Sequence, residues 1–275
     1  MKLRIFYLGV FLFLGLTSIS QTLTWQWTTT DGLKTPESVL YDVSSNNIFV
    51  SNIDGQPSEK DGNGFISVLS AEGKLKTLKW ITGLNAPKGL AIYNGNLFVA
   101  DIDELVVINV KESKITKRYK VENAKFLNDV TAGEDGIVFV SDMQDHKIYA
   151  LANDKLSLWL DDKLLENVNG LWAEKGQLYI GTAQVLQADI KTKSIKILVE
   201  NCGGVDGLEK LKDGNFIYSN WQGRIFVTKG PESIKLLDTV DKKNTADIDF
   251  VPGKNLVLVP TFSGNSVEAY ELKPK

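Results

Sequence analysis

From Gln21 onward, short apolar runs rich in Val, Ile, Leu, Tyr and Phe alternate with breaks of Gly, Asn and Asp, and few stretches hold a helical period. This pattern predicts an all-β protein. One phrase recurs six times: a small or polar pair, an apolar residue, a Gly/Asn/Asp turn, and a hydrophobic strand closing on a polar residue. The copies open at Glu37-Ser38-Val39, Lys88-Gly89-Leu90, Asn128-Asp129-Val130, Asn169-Gly170-Leu171, Asp206-Gly207-Leu208 and Ala246-Asp247-Ile248. Each leads to a second strand: Ile48–Asn52, Leu97–Asp101, Val138–Asp142, Leu178–Thr182, Phe216–Asn220 and Leu256–Pro260.

First members at 37, 88, 128, 169, 206 and 246 lie 51, 40, 41, 37 and 40 residues apart. About forty residues is the length of a four-stranded propeller blade. A third strand follows in most copies, as at Phe65–Leu69, Lys147–Leu151 and Arg224–Val227. The chain therefore reads as one six-bladed β-propeller domain over residues 21–275. The long first interval holds a Gly- and Asp-rich insertion, Gly55–Gly64, expected in a loop. Closure is expected from Leu23–Thr29 pairing in the blade that ends at Val267–Leu272, which removes the open sheet edge.

Equivalent positions at the start of innermost strands form a ring at one mouth of a propeller's channel. The repeat makes that ring Glu37, Lys88, Asn128, Asn169, Asp206 and Ala246. The next row is Ser38, Gly89, Asp129, Gly170, Gly207 and Asp247. Carboxylate and amide oxygens are the ligands of a hard divalent cation, Ca²⁺ first, with Mg²⁺ or Mn²⁺ as alternatives. His146 and Cys202 are each single and fall outside the ring, which disfavours zinc or copper. A channel filled by water, with Asn and Asp satisfying backbone groups at the strand starts, is the alternative.

The phrases Pro36-Glu37, Leu127-Asn128-Asp129, Val168-Asn169-Gly170-Leu171 and Val205-Asp206-Gly207-Leu208, with Ser219–Ile225, resemble the regucalcin, gluconolactonase and luciferin-regenerating enzyme propellers. The likeness to the paraoxonases and strictosidine synthase-like proteins is more distant. It runs from Gln21 to the C-terminus. The resemblance implies that Glu37, Asn169 and Asp206 hold the metal, with Asn128 beside metal and substrate. Two positions depart from the family. Ser38-Val39 stand where it usually has Gly-Pro, and Phe126 stands where the sugar lactonases carry Arg, so the sugar-lactone specificity does not transfer.

The activity so implied is metal-dependent hydrolysis of a small-molecule lactone or related ester, with Asp206 as base and Asn128 orienting the substrate. The other function class is a non-catalytic propeller that binds a ligand or protein, with the ion as a structural pin. A Ser-His-Asp route is not available, because there is one His and no Gly-x-Ser-x-Gly elbow. The paraoxonase His pair is absent for the same reason, and His146 reads as a surface or capping residue. Cys202 reads as packing in a Gly-rich turn, and Asp61–Gly64 as a turn without the spaced acids of a calcium loop. Trp172 and Trp221 follow ring strands and suit either a pocket wall or blade packing.

Charge and the N-terminus narrow the setting. With 31 basic and 34 acidic residues, net −3, no basic field exists for a nucleic-acid backbone or an anionic membrane. Lys2 and Arg4, an apolar run Ile5–Leu16, and small Ser18 and Ser20 read as a signal peptide over residues 1–20, too short in its apolar part to span a bilayer. No Cys follows it to carry a lipid. The expectation is an exported protein, periplasmic or secreted, free of the membrane after cleavage. With Cys202 alone, no intramolecular disulfide forms, and packing must hold the domain.

Overall fold

The computed structural model describes residues 21–273; the expected signal peptide lies outside them. Six four-stranded antiparallel sheets follow one another along the chain, each a meander. Their inner strands are Pro36–Asp42, Pro87–Tyr93, Leu127–Ala132, Leu171–Glu174, Leu208–Lys210 and Asp249–Val251, for blades 1 to 6. Blade 6 takes its outer strand from the other end of the chain. Thr22–Thr29 pairs with Val267–Lys273, with Leu23 opposite Leu272 and Thr29 opposite Val267. The expected six-bladed propeller and its closing strand are both present.

The core lies between blades rather than within one. Phe49 and Ile66 of blade 1 pack with Leu90, Leu97 and Val99 of blade 2, and Phe98 and Leu105 of blade 2 pack with Leu127, Val130 and Val140 of blade 3. Each such side chain stabilises the fold by about 1.5–3 kcal/mol when fully buried. Period-2 alternation supplies two apolar faces per sheet, which is why the second strands read as nearly continuous hydrophobic runs. Among the described residues no helix is long and apolar enough to cross a membrane.

The polar residues that close each second strand have a specific task. Ser51, Ser141 and Ser219 accept hydrogen bonds from the backbone N–H of Ser38, Asp129 and Gly207, each at 2.9 Å. The next residue accepts from the loop arriving at the inner strand: Asn52 from Lys34 N–H, Asp101 from Asn85 and Ala86, Asp142 from Lys125 and Phe126. The repeat therefore encodes how the chain enters the channel, because buried donors there need acceptors. The insertion after Asn52 is a loop up to Asn63, and strand resumes at Gly64.

Candidate functional site in the upper mouth of the channel

The inner strands of blades 1 to 5 begin with the same irregularity. In blades 1 to 3 the register steps three residues against two, as from Pro36 opposite Asn52 to Val39 opposite Val50. In blade 4, Asn169 N–H donates to Gly181 O while Gly181 N–H donates to Gly170 O, so two residues again face one; Asp206, Gly207 and Ser219 repeat this in blade 5. A bulge of this kind re-aims side chains at a sheet's end. It sets the ring residues at the mouth while the following row starts the regular descent of the channel.

Three of the next-row positions are Gly because the neighbouring inner strand leaves no room. A Cβ on Gly170 would lie 2.3 Å from Asp206 O, and one on Gly207 would lie 2.2 Å from Ile248 N. Blade 6 departs from the pattern: Pro260 stands where blades 1, 3 and 5 carry Ser, and it has no N–H to return to the inner strand. Asp247 N–H turns instead to Glu37 O at 3.0 Å, and the Asp247 carboxylate accepts from Ser38 Oγ at 2.5 Å. Blades 6 and 1 are thus sewn together directly beneath Glu37.

All four sequence-predicted ligands lie at the upper mouth. Asn169 Nδ2 donates to Asp206 Oδ1 at 2.9 Å, which leaves Asn169 Oδ1 buried without a partner. Glu37 is 5% exposed, and its Oε2 is likewise buried with no donor. Asn128 Nδ2 meets only the sulfur of Met143, at 3.5 Å, a weak acceptor. Burial pushes the Glu37 carboxyl well above the ordinary range, Asp206 and Asp247 add to the push, and Lys88 opposes it. Burial raises Asp206 to about 7 against the lowering effect of the Asn169 bond.

Sequence reasoning placed Lys88 in the ring without giving it a role. Its side chain is 1% exposed and turns up toward the insertion, donating to Pro57 O and Ala86 O at 2.9 Å each and lying 4.3 Å from the centre of the Phe126 ring. Burial lowers its ammonium to about 8. Phe126 thus stacks on an internal cation. Lys60 pairs with Asp103 at 2.6 Å and helps seat the same insertion. Within it, Asp61 accepts from Asn63 N–H, the turn expected there.

Further down, a cavity of about 160 Å³ holds a second set of acids that the repeat phrase did not reach: Glu209 and Asp249, below Asp129 and Asp247. Trp172 lines this lower chamber, its Nε1 buried and unpartnered. Asp129 accepts from Leu171 N–H at 2.5 Å and from Val130 N–H, and Asp249 from Tyr41 N–H at 2.6 Å. Burial raises Asp249 to about 6 and Glu209 well above its ordinary range. Among the described residues no three His, Cys, Asp or Glu side chains group as a metal site, so any cation in the upper ring relies on amide oxygens as well.

The remaining candidates have structural work. His146 sits in a turn with φ 56°, and its Nδ1 accepts from Asn167 N–H at 3.0 Å, a cap rather than a ring member. Cys202 is buried among Tyr179, Val205 and Tyr218. Trp221 is 44% exposed and packs edge-on against Phe262, with centroids 4.7 Å apart.

No family model and no curated protein matches the chain. Solved structures do. A streptogramin B lyase superimposes with a TM-score of 0.67 at 13% identity, over 92% of this chain and 98% of that one. A candidate gluconolactonase gives 0.67 at 15%, over 93% of each chain. A catalytically inactive histidine-to-alanine virginiamycin B lyase from Staphylococcus aureus, solved with quinupristin, gives 0.64 at 13%, over 92% and 100%. Likeness at such low identity defines the class of fold, a six-bladed β-propeller, and goes no further.

Proposed function

We propose that the chain is an exported hydrolase of lactones or related esters whose upper ring, Glu37, Asn128, Asn169 and Asp206, holds a divalent cation, Ca²⁺ before Mg²⁺ or Mn²⁺. The observation that carries the reading is the pair of buried, donor-less oxygens, Glu37 Oε2 and Asn169 Oδ1, in one ring with Asp206. An unpartnered buried acceptor costs about 1–3 kcal/mol, and a hard cation satisfies several at once. The leader-like first twenty residues support export, and the near-neutral charge supports a small-molecule substrate over nucleic acid.

A bound divalent cation supplies Lewis-acid polarisation of an ester carbonyl. Asp206, as a carboxylate on the ring, takes a proton from the attacking water. Asn169 fixes the rotamer of that carboxylate through Oδ1. Asn128, with only a thioether against its amide, keeps a donor for the substrate oxygen. Water, not a side chain, is the nucleophile. The lyase neighbour loses its catalysis with one histidine, and the sole histidine here is engaged in a turn, which favours hydrolysis over that chemistry.

A second reading keeps the cation and drops the catalysis. The Asp247–Glu37 and Asp247–Ser38 contacts close the propeller at the ring, and an ion there would pin the seam of a ligand-binding propeller. Elemental analysis and melting of purified protein with Ca²⁺ or chelator test what the readings share: protein that holds no metal and is indifferent to Ca²⁺ and Mg²⁺ ends both. A panel of lactones and aryl esters separates them, since cation-dependent turnover abolished by Asp206→Ala belongs only to the hydrolase.

A further inference from the structure

The residue that follows the polar end of each second strand is apolar in all six blades: Ile53, Ile102, Met143, Ala183, Trp221 and Phe262. The equivalence comes from hydrogen bonding, not spacing alone. Pro260 O, Ser219 O and Gly181 O accept from the ring residues Ala246, Asp206 and Asn169, so Phe262, Trp221 and Ala183 each lie two residues beyond the same point. In blades 1 to 3 the strand partners of Pro36, Pro87 and Leu127 are Asn52, Asp101 and Asp142, which sets Ile53, Ile102 and Met143 in that row. A polar ring therefore carries an apolar collar at its open end.

The collar touches the ring and is continuous over much of it. Met143 Sδ lies 3.5 Å from Asn128 Nδ2. Trp221 packs on Phe262, and Phe262 packs on a cluster of Ile53, Ile102 and Ala86, whose carbonyl holds Lys88. That run covers blades 5, 6, 1 and 2. Over blades 1 and 2 the collar is buried, Ile53 at 0% and Ile102 at 5%, but it opens at Trp221, 44% exposed. The ammonium of Lys88, the ring's cation, is already spent on two carbonyls. The exposed part of the collar, at Trp221, is apolar.

We infer that the ring's substrate is a lactone or ester bearing an apolar alkyl or aryl substituent, with its carbonyl at Asn128 and its substituent against Trp221 and Phe262. This rests on the hydrolase reading of the ring and adds the class of substrate. A polyhydroxylated lactone would give up water for hydrocarbon at the collar, whereas an alkyl chain gains about 0.8 kcal/mol for each methylene it buries.

Non-hydrolysable lactams test the inference independently of turnover. δ-Valerolactam, its pentyl-substituted derivative and glucono-δ-lactam are titrated calorimetrically into Ca²⁺-loaded protein and into Trp221→Ser, whose fold is checked by melting. The pentyl compound is expected to bind at least about tenfold tighter than the parent, the hydroxylated one no tighter, and Trp221→Ser to remove most of the gain. Equal affinities, a preference for the hydroxylated lactam, an unaltered gain in Trp221→Ser, or no binding of any of the three overturns the inference. Pentyl preference with no turnover of any lactone leaves the collar standing and removes the hydrolase; turnover without that preference does the reverse.

Discussion

The channel carries carboxylates at two levels, and the two are built for different ends. In the upper ring the backbone is bulged, the acids share the rim with amides and a lysine, and Glu37 Oε2 and Asn169 Oδ1 have no donors. Below, the strands are regular and the acids are mostly consumed by the fold itself, Asp129 by Leu171 and Val130, Asp249 by Tyr41. Both sets are buried and both are raised above the ordinary carboxylate range. Acid density is therefore not what separates a site from a scaffold. Unfilled acceptors on an irregular backbone are.

The comparison breaks most visibly at Asp206. Asp206→Ala is expected to lower cation-dependent lactone turnover by at least about a hundredfold and to abolish the rise in Tm that Ca²⁺ gives. Steady-state kinetics and melting curves check both, and a variant that keeps either one moves the site elsewhere. Next in size is the pH dependence of the metal-free protein. Glu37 and Asp206 have folded-state pKa values above their unfolded ones, so their contribution to stability is full below the ordinary carboxylate range and is lost as pH rises through about 7 for Asp206. The Tm of chelated protein should fall between pH 5 and pH 8, by about 2–4 °C for each kcal/mol lost, and saturating Ca²⁺ should abolish the fall. A flat profile without cation would sink the assignment of raised acids to the ring.

Lys88 sharpens the comparison in the opposite sense. Its ammonium partly neutralises the upper ring, so Lys88→Met should tighten Ca²⁺ binding by roughly three- to tenfold, read by calorimetry. The same change strips the donor from Pro57 O and Ala86 O and should cost about 1–2 kcal/mol of stability without cation. Unchanged affinity would mean that the lysine is too far from the ion to be felt.

Much of this was written in the repeat. Glu37, Asn128, Asn169 and Asp206 share one register because each opens the same phrase, and Ser51, Ser141 and Ser219 recur because each answers a backbone N–H at the bulge. What the phrase could not carry is direction. Lys88 holds a ring position, yet its long side chain leaves the ring for carbonyls in an insertion distant in sequence. Glu209 and Asp249 sit one turn of the pleat below the phrase, where alternation returns them to the channel. The collar lies one residue beyond its polar end, where apolar residues read as the start of unrelated loops.

The lower chamber gives an effect on stability alone and is diagnostic for that reason. Asp249 accepts Tyr41 N–H and is 8% exposed, and burial raises its carboxyl to about 6. Its protonated form is the one the fold prefers, so its contribution is full below the ordinary Asp value and is lost as pH rises through about 6. Asp249→Asn keeps an acceptor for Tyr41 and never ionises. It should therefore stabilise the protein by up to about 3 kcal/mol at pH 8 and by almost nothing at pH 4, measured by urea unfolding, with Ca²⁺ affinity and turnover unchanged. Equal stabilisation at both pH values would point to packing rather than charge. A change in Ca²⁺ affinity would join the two levels into one site and undo the division between them.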